Sequence, residues 1–423
     1  VSPTPITATS TISIKERTIR FLLFESRKGI HFMKVVFEKD SLTQAIAKAL
    51  SAVATSGTIK AIEGIQMIAQ ANGDVTLNSF DLEKGIRCTV KATVKEEGSF
   101  IINAQRLSQI LRVMPSPIEI DIDAAGHTKI HSGLSEYTLS ALPGSDFPNT
   151  PMLEGDWGFT MQQGQLRDMI AKTIYAVANN DPRPALNGML FRIENERIVL
   201  VSSDSFRLSI CEKQLDLKKE SFENKDLSLS MVVPGKTVSE LYKLLADNEK
   251  PVRILATNKH IIFILGNTFF FSRLINTSYI EYEKFIPKNP KTFVIADRME
   301  LLESLERVAL VCEEKGQGKS KGAVACKFES DGRLMLSSTS QSSSVYDEVT
   351  IEIEGESLEI GMHCRYLIDA LRAADTERIR ISLVSPLVSI VMEPLYRQED
   401  EKAWKKQGIA KESFLFLVVP VRL

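Results

Sequence analysis

The sequence predicts an α+β protein of three tandem repeats, each built from two β-α-β-β-β halves. Three observations carry this prediction. A short phenylalanine-bearing strand followed by an amphipathic helix occurs three times, at Phe37, Phe159 and Phe293. Alternating apolar strands around tight turns follow each of these helices, and a second strand-helix pair opens the back half of each repeat. Self-similarity on this scale marks a repeat architecture, and 423 residues suit about three domains at roughly 150 residues each.

Residues 1–32 stand apart. They are rich in Ser, Thr and Pro, and then basic through Lys15, Arg17, Arg20, Arg27 and Lys28. The stretch lacks the continuous apolar run and small-residue cleavage site of a secretory signal, so an upstream start or a disordered tail is expected. The first repeat is expected over residues 33–152, the second over 153–288 and the third over 289–423. Its first helix carries Leu42, Ile46, Leu50 and Val53 on one face. The equivalent helix of the second repeat carries Leu166, Met169, Ile170, Ile174 and Val177, and that of the third Leu301, Leu302, Leu305 and Ala309. All follow the 3.6-residue period of a helix with one buried face. Asn72-Gly73 in the first repeat and Asp331-Gly332 in the third predict type I′ hairpins, which need positive φ at both central residues; Glu194-Asn195-Glu196 is the matching turn of the second. One constant offset superposes Leu77 on Leu200, Ser79 on Ser202, Asp81 on Asp204 and Cys88 on Cys211. The second halves pair Phe100–Ile102 with a helix over Ala104–Met114, Met231–Val233 with Thr237–Leu245, and Leu358–Gly361 with Tyr366–Ala373. Proline-bearing stretches at Pro143–Pro151 and Ile286–Pro290 suit short linkers.

Composition narrows the function. Hydrophobic residues are 43% and charged residues 25%, the balance of an ordinary globular chain. No run nears the roughly 18 apolar residues of a spanning helix, so no membrane partner is expected. The formal net charge of −2 leaves any basic surface to segregated charge. The five cysteines (Cys88, Cys211, Cys312, Cys326, Cys364) are odd in number and widely spaced. That pattern argues against a disulfide framework and a zinc site, and fits a reducing, cytoplasmic location. No phosphate-binding, dinucleotide-binding, zinc-protease or nucleophile-elbow motif occurs, so neither a cofactor, a metal nor a catalytic residue is expected.

If each repeat lays two helices on sheets, their apolar stripes face inward and their polar stripes share a surface. Those stripes carry Lys48, Arg106, Arg112, Arg167, Lys172, Lys236, Lys243, Arg298, Arg307, Arg365 and Arg372, with Lys315, Lys319 and Lys321 after the fifth helix. Asp168, Glu240, Glu300, Glu303, Glu306 and Asp369 share the same helices. Charge alone fits a solvated face as well as a DNA-facing one.

Five ordered motifs add a resemblance: Leu139–Pro148 (LSALPGSDFP), Arg183–Phe191 (RPALNGMLF), Val201–Leu208 (VSSDSFRL), Ile286–Pro290 (IPKNP) and Val418–Leu423 (VVPVRL). Together with the threefold repeat, they make Met33–Leu423 resemble the bacterial DNA polymerase III β subunit family, the replicative β sliding clamps. That resemblance implies three clamp domains per chain, closing as a head-to-tail homodimeric ring with sheets outside and helices lining a hole around duplex DNA. It also implies a non-catalytic subunit of a DNA-directed DNA polymerase holoenzyme, without 3′–5′ exonuclease activity. Phosphate attraction without base reading would make binding sequence-independent, salt-sensitive and compatible with sliding.

By the same resemblance, Tyr137 and Leu139 would meet Leu310 and Val311 of a second copy, although as residues alone all four read equally as core. DNA-facing positions would be Lys60, Arg106, Arg112, Arg167, Lys172, Asn180, Arg183, Lys236, Lys243, Arg307, Arg365 and Arg372. A groove between the second and third domains would take short peptides from the replicative polymerase's catalytic subunit, the clamp loader, and other replication and repair proteins that carry a clamp-binding motif. The matching positions are Arg183, Leu186, Ser203, Ser205, Phe206, Arg207, Leu208, Ile280, Lys284, Phe285, His363, Tyr366, Leu417, Val418, Val419, Pro420, Val421 and Arg422. Apolar anchors with a polar rim suit peptide capture. Ser205, Phe206, Ile280, Lys284, Phe285 and His363 depart from the usual residues there, and Pro184 and Ala185 replace an aromatic pair found in some clamps.

Two other classes fit less well. A hydrolase would draw on Ser202, Ser203, Asp204 and Ser205, or on Cys312 with His363. Nucleophilic catalysis needs an oriented base, and the repetition of Ser79 and Asp81 points to a turn role instead. A repeat scaffold that binds partners without encircling DNA is the non-enzyme alternative. The charged segment Leu395–Glu412, around Trp404, reads as a solvated loop longer than clamps usually carry there.

Overall fold

The computed structural model describes residues 32–57, 59–150, 155, 157–194, 197–214, 228–312, 322–340, 342–396 and 412–423. Residues 1–31, the Asn195-Glu196 turn tip, Lys315, Lys319, Lys321 and most of the segment around Trp404 lie outside them. The chain divides into two compact units at Thr150.

The first unit runs β1 (Met33–Phe37), α1 (Lys39–Ala49), β2 (Gly64–Ala69), β3 (Asp74–Phe80), β4 (Lys84–Lys91) and a short β5 (Thr93–Glu96). Its second half is β6 (Gly98–Asn103), α2 (Ala104–Val113), β7 (Ile118–Ile122), β8 (His127–Ser132), β9 (Ser135–Ser140) and a two-residue β10 (Leu142–Pro143). The halves exchange their first strands. β1 pairs with β7, so that the sheet reads β5-β1-β7-β8-β9, while β6 pairs with β2 of the other half. Both helices bury their apolar stripes in one core, with Leu42 and Ile46 of α1 and Leu107 and Leu111 of α2 packed among Val35, Met67, Leu77 and Ile120. Neither half could bury its helix alone, so the exchange makes one cooperative domain of two.

The second unit repeats this plan twice. Its first repeat is β11 (Trp157–Gln162), α3 (Gln163–Thr173), β12 (Gly188–Glu194), β13 (Arg197–Ser203), β14 (Arg207–Gln214), then β15 (Leu229–Pro234), α4 (Gly235–Leu244), β16 (Pro251–Ala256), β17 (His260–Leu265) and β18 (Thr268–Arg273). Its second is β19 (Thr292–Asp297), α5 (Arg298–Cys312), β20 (Ala323–Glu329), β21 (Arg333–Thr339), β22 (Ser344–Glu354), then β23 (Leu358–His363), α6 (Cys364–Ala373), β24 (Arg378–Leu383), β25 (Ile390–Leu395) and β26 (Glu412–Val418). The exchange recurs as β11 with β16, β15 with β12, β19 with β24 and β23 with β20. β14 and β26 then pair antiparallel from Arg207↔Val418 to Lys213↔Glu412. This joint fuses the two repeats into one unit.

The hairpin turns differ from expectation. Gly73 and Gly332 have φ of +80° and +92°, whereas Asn72 and Asp331 are not in the positive-φ region. Gly73 N–H donates to Gln70 C=O and Gly332 N–H to Glu329 C=O. Each is therefore a tight turn closed by a single left-handed glycine rather than type I′, and one positive φ suffices.

Candidate functional site

The candidate groove lies at the β14–β26 joint. Its wall begins in the turn before β14, where Asp204 Oδ1 accepts from Phe206 N–H at 3.0 Å and from Arg207 N–H at 3.1 Å. Ser205 takes φ +78° there, and Phe206 projects outward, 58% exposed. The first unit builds the same turn, with Leu82 at φ +76° and Asp81 Oδ1 accepting from Glu83 and Lys84 N–H. Across the joint the Phe206 ring stacks on Tyr366 of α6 at 6.3 Å, and His363 stacks on Tyr366 at 4.1 Å. Arg207 lies beneath, its Cζ 4.6 Å from the Tyr366 centroid and 5.2 Å from that of Tyr175. Its guanidinium donates to Asp204 Oδ2 at 2.9 Å and to Asp369 Oδ2 at 2.7 Å. Burial pulls the Arg207 pKa down, but the two carboxylates outweigh it and hold the pKa above the ordinary value.

Alternation along the strands sets the floor. Leu208, Ile210, Val391 and Leu417 are buried on one face, with Ile280, Ile286 and Val419 half-buried against them. The segment after β18 crosses this face and is anchored by the buried Tyr282, over which Arg192 sits while pairing with Glu283 at 2.8 Å. It carries Phe285, 61% exposed, and Lys284, which pairs with Glu281. The tail closes the groove as Val419 N–H donates to Phe206 C=O at 2.9 Å and Val421 N–H to Gly361 C=O at 2.8 Å. A Cβ at Gly361 would lie 2.4 Å from Val421 O, so only glycine admits the tail. Pro420 is half-buried and Arg422 exposed. Arg183 pairs with Asp181 at 2.9 Å and donates to Ser205 Oγ at 2.5 Å; that pairing pulls the Asp181 carboxyl down to about 2.

Three expected groove residues present no groove surface. Val418 packs in the opposite, helix-side core because its neighbour Leu417 takes the groove face. Leu186 is fully buried, and Ser203 Oγ donates to Arg207 C=O at 2.8 Å within its own turn. Sequence reasoning missed Leu387, 84% exposed. Arg207, Val418 and Ile390 lie in line across β14, β26 and β25, so the loop ending at Ser389 sits at the same sheet end as Phe206. An apolar residue after Ser385-Pro386 was the available signal.

The helix cations divide. Arg106, Arg112 and Lys236 are exposed, and Arg167 lies 4.8 Å from the Tyr242 ring centroid. Lys60 pairs with Glu63, Lys243 with Glu240, Arg307 with Asp347, Arg365 with Asp369 and Arg372 with Glu306. Asn180 is exposed with φ +58°. Lys172 is a correction. Its side chain is 5% exposed and meets Asp375 at 2.8 Å, so it ties the second repeat to the third and offers phosphate no surface. Arg298 likewise donates to Thr376 and Leu371 carbonyls.

Two strand edges carry exposed apolar groups. Tyr137 of β9 is 41% exposed, while Leu139 packs partly on the first unit's core. On the third repeat Tyr346 of β22 is 57% exposed, and on helix α5, which packs on β22 through Arg307 and Asp347, Leu310 is 76% exposed and Val311 half-buried. β9 ends its sheet, and Ser344–Thr350 of β22 pair only with β21 among the described residues, since β19 takes up at Ile351.

The serine cluster is structural. Ser202 Oγ donates to Thr173 C=O and, in the first unit, Ser79 Oγ to Ala49 C=O at 2.6 Å, so both tie a strand to the end of a helix. Cys312 Sγ is likewise engaged, by Ala323 C=O at 3.3 Å.

Three family models match in chain order: the DNA polymerase III beta subunit N-terminal domain over residues 33–151, the central domain over 160–281 and the C-terminal domain over 283–403. The beta sliding clamp of Halalkalibacterium halodurans is 32% identical over 377 residues, covering 86% of this chain and 96% of that protein. That of Bacillus subtilis (strain 168) is 28% identical over 366 residues, covering 84% and 94%. Among solved structures, the Bacillus subtilis DNA polymerase sliding clamp aligns with TM-score 0.82 and 26% identity over 92% of this chain and 99% of that one. A Pseudomonas aeruginosa sliding clamp bound to griselimycin aligns with TM-score 0.80 and 25% identity over 92% and 100%.

Proposed function

This chain belongs to the DNA polymerase III β subunit family, and from that premise we propose that its working form is a head-to-tail dimeric ring around duplex DNA. Its function is that of a replicative sliding clamp, the processivity factor of the replicative polymerase. The observation that carries the ring is the β14–β26 joint. It links the third strand of one repeat's first half to the third strand of the next repeat's second half. Among the other equivalent third strands, β22 and β9 each have an open edge. Applying the same joint between two copies pairs β22 of one with β9 of the other, a heterologous contact that six similar domains close into a ring. Leu310, Val311 and Tyr346 on one side and Tyr137 and Leu139 on the other supply the apolar contact.

Within this reading the domains are residues 33–152, 153–288 and 289–423, with residues 1–32 an appendage that precedes the first. Arg106, Arg112, Arg167, Lys236, Lys243, Arg307, Arg365, Arg372, Lys60, Asn180 and Arg183 face DNA; Lys172 does not. The groove between Phe206 and Phe285 takes peptides from the polymerase catalytic subunit, the clamp loader and repair proteins, and it would take griselimycin as well. The clamp catalyses no bond-making step of its own and works in the cytoplasm, where the replicating DNA lies. Among the described residues no helix is long and apolar enough to cross a membrane. The test is primer extension on a long singly primed circle by the cognate polymerase. Product length should rise when this protein, clamp loader and ATP are added together; no change would reject the proposal.

A further inference from the structure

We propose that Asp369 is a positioning residue for the partner groove, holding its aromatic wall from beneath without touching the bound peptide. The proposal rests on the peptide-groove reading above. Phe206 and Tyr366 come from different repeats, so nothing in either repeat alone fixes their stacking. Arg207 does so, its Cζ 4.6 Å from the Tyr366 centroid and its backbone beside Phe206 in the chain. A guanidinium at 12% side-chain exposure carries a desolvation cost that carboxylate partners must offset. Asp204 supplies one from the same turn, at 2.9 Å. The second comes from the other repeat, where Asp369 stands one helical turn beyond Tyr366 and Arg365 on α6 and reaches Arg207 at 2.7 Å while also holding Arg365 at 3.1 Å.

Charge at Asp369 therefore does two things. It draws Arg207 across the joint, and it keeps the guanidinium over the Tyr366 ring within cation–π reach. Without that charge Arg207 keeps one carboxylate, Asp204 of its own turn, and the weaker contacts to the Tyr175 and Tyr366 rings no longer suffice to hold it across the joint. Tyr366 then loses its lower partner and Phe206 its platform. A carboxamide preserves the shape but accepts one weaker bond, so affinity falls although no peptide contact has been removed.

The experiment is fluorescence polarisation on the full-length protein. The probe is a fluorescein-labelled synthetic peptide copied from the clamp-binding segment of the cognate polymerase catalytic subunit, with griselimycin as an unlabelled competitor. Asp369→Asn should weaken the peptide about tenfold and Phe206→Ala about as much, and the double variant should be no weaker than Phe206→Ala by more than about twofold, since both act through one wall. Asp369→Glu, which restores the charge, should recover most of the affinity. Should Asp369→Asn fail to fold, Arg207→Lys serves, because an ammonium keeps the charge but cannot bridge two carboxylates and stack; it too should lose about tenfold. Binding by Asp369→Asn within twofold of the unaltered protein, or full additivity with Phe206→Ala, would overturn the positioning role. Failure of the unaltered protein to bind either probe would instead overturn the groove reading, and the proposal with it.

Discussion

Lys172 shows how burial reassigns a charge. Helix phase sends it to the polar stripe of α3, yet its side chain is 5% exposed against Asp375. An ammonium taken out of water costs several kcal/mol unless a carboxylate meets it. Lys172→Ala should therefore lower unfolding stability in urea by about 1–3 kcal/mol, discounted because Asp375 is 61% exposed and resolvates, while DNA retention stays unchanged. A large loss of retention with normal stability would return Lys172 to the DNA face. The thiols respond to the same physics. Burial pushes Cys88 up to about 11 and Cys326 up to about 12. A raised folded pKa means that their contribution to stability is whole below the ordinary thiol value of about 8.5 and is lost as pH rises through about 11. With an aromatic disulfide reagent at pH 8, the native protein should titrate at less than about one thiol, and in urea at all five. Rapid native reaction of several would contradict the buried placement of all five.

At the scale of elements, the open edges of β9 and β22 make the next prediction. Leu310 is 76% and Tyr137 41% exposed, so an aspartate at either place leaves the fold intact but sets a charge in the proposed seam. Leu310→Asp and Tyr137→Asp should each convert dimer to monomer in sedimentation velocity, with melting temperature within about 2 °C of the parent when compared as monomers. Unchanged dimers from both would place the seam elsewhere. Element type and order were legible in the sequence because helices and strands write periodic apolar patterns, and the offset of Ser79 and Asp81 onto Ser202 and Asp204 exposed the repeat. The exchange of β1 and β6 between halves was not legible, since strand partners far apart in the chain leave no local period. Nor was the split of Leu417 from Val418, two adjacent apolar residues whose opposite facing depends on which strand face the segment around Tyr282 covers. Groove aromatics could be placed by motif, whereas Asp369, an ordinary helix carboxylate, gained its meaning only from Arg207 across the joint.

At the scale of the whole molecule, the proposed ring holds the protein on DNA by topology rather than by affinity for phosphate. Direct binding to linear duplex should then be weak and strongly salt-dependent, and replacing Arg106, Arg112, Arg167 or Lys236 singly should lower the log–log salt slope by about one each. The most direct test is retention on a nicked circle after loading with clamp loader and ATP, with salt raised to about 0.5 M, where the phosphate attraction has largely collapsed. The protein should stay on the closed circle through gel filtration and be lost within minutes once a restriction enzyme linearises it. Equal loss from circle and linear DNA would contradict encirclement.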